Sequence, residues 1–230
     1  MANRNHINEY LEDIRKEFHP LRKNILSHPF VKGFERGIIP LEKLRFFAVQ
    51  QFHIINGDLR NLALYVALSS EQWISDFFID LIQGERMALE NLFKFAGALK
   101  LSIKELKDSE PHSHCLAFTN YFTRLATYGT LGEIAASILL DFECWGENCN
   151  SLSNALNKRY GLSPDETKFL DGFYPIPKEF YETIIKIIGK QSQTSEDRKR
   201  IRTAVRLALE YELMFWNSVN KHNDKSLKEE

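Results

Sequence analysis

The chain has 230 residues, 43% of them hydrophobic and 12% aromatic, with seventeen phenylalanines; this is material for one sizeable core and excludes global disorder. Thirty basic side chains against thirty-one acidic ones give a formal charge of −1, which argues against a nucleic-acid or membrane-surface partner. The opening residues hold no apolar signal core, no apolar run nears the ~18 residues of a membrane span, and Cys115, Cys144 and Cys149 form no framework, so a reduced, cytoplasmic protein is expected.

Helical periodicity runs through the chain without a convincing two-residue alternation, so the fold class expected is all-α. From Ile7 to Ser27, Leu11, Ile14, Phe18, Leu21 and Ile25 recur at helical spacing. "SHPFVKGFERGIIP" is punctuated by two glycines and two prolines and reads as short turns. Pro40 suits a first helical position, where its missing N–H is not needed, and opens a long helix. Ser69 and Gln72 have the spacing of a capping box for the next one. "LKDSEPHSHC" is a break, followed by helices through "CLAFTNYFTRLATYG" and "TLGEIAASILLDFECWGENCNSLSNALNKRY". "GLSPDE" places Gly161 as a C-terminal cap, Ser163 as an N-cap and Pro164 at a first helical position. "DGFYPIPKEF" turns the chain again, "GKQSQTSED" is the best linker candidate, and a last helix runs from about Glu196 to Asn220. Residues 1–220 thus read as one domain of seven to nine helices, a compact bundle, with 221–230 expected to fray.

Carboxylates on apolar faces carry the functional argument. In "LALEYELMFWNSV", Glu212 falls in the stripe Val205, Ala208, Leu209, Phe215, Trp216, Val219. Glu85 lies in line with Leu81 and Ala88, and Glu143 shares a face with Ala136 and Leu140. An unpaired buried carboxylate is unfavourable enough to neutralise or find a partner. Three helices aiming a glutamate inward therefore point to a shared polar pocket for a small-molecule ligand, or to three separate structural pairs. Were Glu85, Glu143 and Glu212 to ligate a metal, oxygen-only ligation would favour a hard ion such as Mg or Mn. Cys144, beside Trp145, reads as a nucleophile with Glu212 as its base, or as an inert buried thiol. Phe47, Gln51 and His53 on the helix after Pro40, with Tyr121, Tyr128, Tyr174 and Tyr211, are the substrate-binding candidates; His53 is tunable near neutral pH.

"HPFVKGFERGIIPLEKLRFFAVQQF", "FLDGFYPIPKEFYE" and "YELMFW", in that order and separation, resemble the TenA, thiaminase-II and PqqC family. The resemblance implies a haem-oxygenase-like bundle, a homo-oligomer and an enzyme of small organic molecules. It implies for Glu212 the role of the last-helix glutamate that works with a cysteine on an aminopyrimidine. The family's cysteine follows a leucine pair and a proline. Here Leu139 and Leu140 are followed by Asp141 and Phe142, and Cys144 stands two places on, about 200° around the helix. Gln51 and Ile54 stand where the family's aspartate and tyrosine are expected. A CADD-like di-metal branch of the same fold would take Glu85, Glu143 and Glu212 as carboxylate ligands, but its inner histidines have no counterpart. Iron, manganese or no cofactor, oxidation or hydrolysis, and enzyme or non-catalytic binding protein all stay open at this point.

Overall fold

The computed structural model describes residues 4–222, and among them every regular element is a helix. The order is α1 (Arg4–Glu17), α2 (His19–Leu26), α3 (Pro29–Arg36), α4 (Lys43–Leu68), α5 (Gln72–Ala98), α6 (Ile103–Asp108), α7 (Ser113–Tyr128), α8 (Leu131–Arg159), α9 (Pro164–Asp171), α10 (Lys178–Gln191) and α11 (Ser195–Lys221). These eleven exceed the expected seven to nine because short helices occupy stretches read as turns. "SIKELKD" forms α6 under a full Ser102–Glu105 capping box, and the first segment breaks at Phe18, with Pro20 in the first turn of α2. Most of the tail expected to fray lies outside the described residues.

Local chemistry explains most ends. Ser163 caps α9 with Glu166 in a reciprocal box and Pro164 in the first turn, after Gly161 turns the chain at φ 75°. Thr130 and Thr194 cap α8 and α11 in the same way. Two expected starts differ. Pro40 precedes α4 by three residues, because the chain enters through tight turns in which Lys43 donates to the Pro40 carbonyl and Leu44 to that of Leu41. Glu71, not Ser69, is the N-cap of α5; the Ser69 hydroxyl instead accepts from the Glu71 amide.

α8 runs through the middle, buried on almost every side, and packs on α11, α10, α9 and α3, while α4 packs on α5 and α7. An aromatic cluster of Phe47, Trp145, Phe215 and Trp216 joins α4, α8 and α11, with ring centroids 5.2–6.0 Å apart. No helix among the described residues is long and apolar enough to cross a membrane.

Candidate active site

Four helices each bring one carboxyl side chain to the same space in the bundle. Asp58 on α4, Glu85 on α5 and Asp141 on α8 line a chamber of about 340 Å³ whose other walls include Tyr65, Phe122, Phe169 and Phe180. A recess of about 50 Å³ lies against Gln51, Asp141, Trp145, Glu212 and Phe215. Asp58, Glu85, Asp141, Phe118, Phe142 and Phe173 border both, so recess and chamber share a wall.

Asp141 and Glu212 meet at the recess, only 4% and 2% exposed. The Trp216 indole N–H, one turn along α11, donates to Glu212 Oε1 at 3.1 Å. Asp141 Oδ1 and Glu212 Oε2 have no hydrogen-bond partner in the protein, and the two carboxyls lie close enough to influence each other's ionisation. Two neighbouring buried carboxyls resist ionising together, which favours a proton on the pair. Burial, reinforced by the charge of Glu212, pushes Asp141 well above the carboxylate range. Burial also pushes Glu212 up to about 8, against the opposing pull of Trp216, Asp141 and Arg22.

Asp58 is held by α7. The Thr119 hydroxyl donates to its Oδ1 at 2.5 Å and the Asn61 amide to the same oxygen at 3.4 Å. Gly57 permits this, because a Cβ there would stand 2.6 Å from Thr119 Oγ1. Burial raises Asp58 to about 6, and burial with the charge of Asp58 raises Glu85 to about 8.

Of the three glutamates expected to converge, Glu85 and Glu212 do and Glu143 does not. Glu143 points to the opposite side of α8, where Arg15 Nη2 meets it at 2.6 Å and Arg22 Nη1 at 2.8 Å, so it ties α1 and α2 to α8. Asp141, two residues earlier, takes the inward place. Asp58 is a further member that the reading of the chain missed. The signal was present in both: Asp58 falls among Ile54, Ile55, Leu62 and Tyr65, and Asp141 between Ile138 and Trp145, the pattern that singled out Glu212.

Among the binding candidates, Gln51 borders the recess. Phe47 lies outside both spaces, within the aromatic cluster. His53 turns aside and bonds the Ser109 hydroxyl at 2.9 Å. The tyrosines also lie off the cavity: Tyr121 donates to the Ala204 carbonyl and packs on Tyr211, while Tyr128 and Tyr174 are exposed. Tyr65 is the aromatic hydroxyl that does line the wall. Cys144 is fully buried, and burial raises its thiol far above the normal range. It borders neither space; Phe142, where the resemblance expects cysteine, borders both.

The proposed carboxylate metal set does not assemble, because Glu143 is engaged by two arginines. No cluster of three or more His, Cys, Asp or Glu able to hold a metal ion occurs among the described residues, and no histidine borders the cavity. The residues present therefore do not fit a CADD-like di-metal centre.

The all-α architecture and its central pocket define a haem-oxygenase-like fold. A domain from Shewanella denitrificans described as having that fold superposes with a TM-score of 0.79 at 14% identity, over 92% of each chain. A TenA homologue from Pyrococcus furiosus gives 0.76 at 22% identity, over 91% of this chain and 99% of that one. Residues 15–221 match the model of the TENA/THI-4/PQQC family, and the chain belongs to that family. An aminopyrimidine aminohydrolase of Helicobacter pylori is 24% identical over 204 residues, 84% of this chain and 89% of that one.

Proposed function

We propose that the protein is an acid–base hydrolase of small amino-substituted heterocycles, in which the Asp141–Glu212 pair and a water do the work of a nucleophilic thiol. The observation that carries this reading is the pair of buried carboxyls, Asp141 and Glu212, bordering a small polar recess that shares a wall with an aromatic chamber. The chamber suits a flat ring. The recess has room for one water, with Gln51, Asp141 and Glu212 as polar partners.

In the proposed step the water oxygen attacks the carbon bearing the amino group and its proton passes to Glu212. Asp141 gives its proton to the departing nitrogen as the C–N bond breaks. Amine and water become alcohol and ammonia, and the proton returns from Glu212 to Asp141 to close the cycle. Two carboxyls sharing one proton can take both roles at once, since the environment holds one neutral while the other ionises. The H. pylori relative, named for aminopyrimidine hydrolysis, supports the substrate class.

The test is ammonia release from amino-substituted pyrimidines and related rings. Asp141→Asn and Glu212→Gln are each expected to lower kcat at least a hundredfold while leaving the fold intact. Cys144→Ser is expected to keep activity within a fewfold. Loss of activity in Cys144→Ser, or its survival in both carboxyl variants, sinks the mechanism.

A further inference from the structure

The Asp141–Glu212 pair leaves half of the cavity's acids unused. Resting on the proposed function for the reacting end, we propose that Asp58 and Glu85 form a second station that binds a protonated amine on a non-reacting arm of the substrate. The ligand is then a flat ring with a basic nitrogen at each of two ends, one for each wall of the cavity.

Three observations carry the inference. First, Glu85 is half-buried and makes no hydrogen bond or ion pair with any described residue, although it borders both chamber and recess. Second, both hydrogen bonds to Asp58 fall on Oδ1, fixing the carboxyl from one side and leaving Oδ2 to meet a donor. Third, the residues bordering the cavity include four acids and no Lys, Arg or His. Arg22, whose charge reaches Glu212, is bonded to Glu143 on the other side of α8.

Asp141 Oδ1 and Glu212 Oε2, more than nine-tenths buried and without a protein donor, point into the same unmet demand for hydrogen-bearing cations. Like charges gathered in a poorly hydrated space repel, and each carboxyl there is costly to ionise unless a cation enters. A protonated amine supplies both charge and donors. The aromatic walls add a favourable quadrupole for a cation or a flat ring. One cation satisfies one wall only; a second basic nitrogen satisfies Asp58 and Glu85 as well.

The probes are 1,4-bis(aminomethyl)benzene, benzylamine and benzyl alcohol, which share a ring and differ in charge. Isothermal titration calorimetry on the full chain is expected to rank them in that order, with the diamine at least tenfold tighter than the monoamine. Glu85→Gln should bring the diamine to within about twofold of the monoamine and leave the monoamine unchanged. Asp58→Asn, checked by circular dichroism for folding, serves as the second variant with the same expectation. Equal binding of the alcohol, or a diamine preference that survives in both variants, overturns the station. Ammonia release separates the two ideas. Turnover with no diamine preference leaves the hydrolase and removes the station; Glu85-dependent diamine binding with no turnover of any amine does the reverse.

Discussion

At the scale of single residues, the cavity acids set a pH dependence of opposite sign to that of ordinary surface pairs. Glu85 and Glu212 move from 4.5 to about 8, and Asp58 from 3.8 to about 6. Their folded values exceed the unfolded ones, so the folded chain holds more protons between these limits. Their contribution is fully present below about pH 4, falls as pH climbs toward 8, and is flat above that. Glu105, Glu166 and Asp197, lowered chiefly by hydrogen bonds at helix caps, act the other way at acid pH. Glu85→Gln should therefore raise Tm, and raise it more at pH 8 than at pH 5; an equal shift at both, read by differential scanning calorimetry, would show that Glu85 is not held neutral by its surroundings. Helical phase made Glu212 and Glu85 legible in the sequence. It could not choose between Asp141 and Glu143, because α8 is buried on both faces and each acid aligns with an apolar row. Arg15 and Arg22 decided the matter, and their contact with Glu143 spans more than a hundred residues of chain.

At the scale of elements, the roof of the cavity depends on one close crossing. The turn between α9 and α10 contributes Gly172, Phe173, Ile176 and Pro177 to the chamber. It reaches α8 because Gly146 has no side chain; a Cβ there would stand 2.5 Å from the Phe173 carbonyl oxygen. Gly146→Ala must move backbone, not a flexible side-chain end. Urea unfolding should show a loss of about 1–3 kcal/mol, and calorimetry an affinity for benzylamine at least tenfold weaker. Unchanged stability together with unchanged affinity would mean that the turn yields freely. The proline-rich segment announced a turn in the sequence, but nothing local said which helix it would cross. The long helices were legible from periodicity alone. Short ones such as α6 escaped because a single turn of helix carries too little period to separate it from a loop.

At the scale of the whole molecule, the bundle persists in the superposed relatives, which share only 14–22% of their residues with it. The frame is set by apolar spacing and capping, which many sequences satisfy; chemistry is set by a few positions on the inner faces, which need not follow the frame. That is why the quoted motifs led to the fold while Phe142 stands where the resemblance expects a cysteine. The cavity's four acids have one consequence for the molecule as a thermodynamic system. Near neutral pH the pocket stores protons on Glu85 and on the Asp141–Glu212 pair, whose ionisation burial disfavours. An entering cation drives its partners toward their ionised forms, so binding and proton release are linked events. The heat of diamine binding at pH 7 should then vary with the ionisation enthalpy of the buffer, comparing phosphate with Tris, with a slope reporting net release of about one proton or more. A slope of zero would mean that the acids are already ionised before the ligand arrives. Through that linkage, the occupancy of a site inside the bundle becomes a readable exchange with the surrounding solvent.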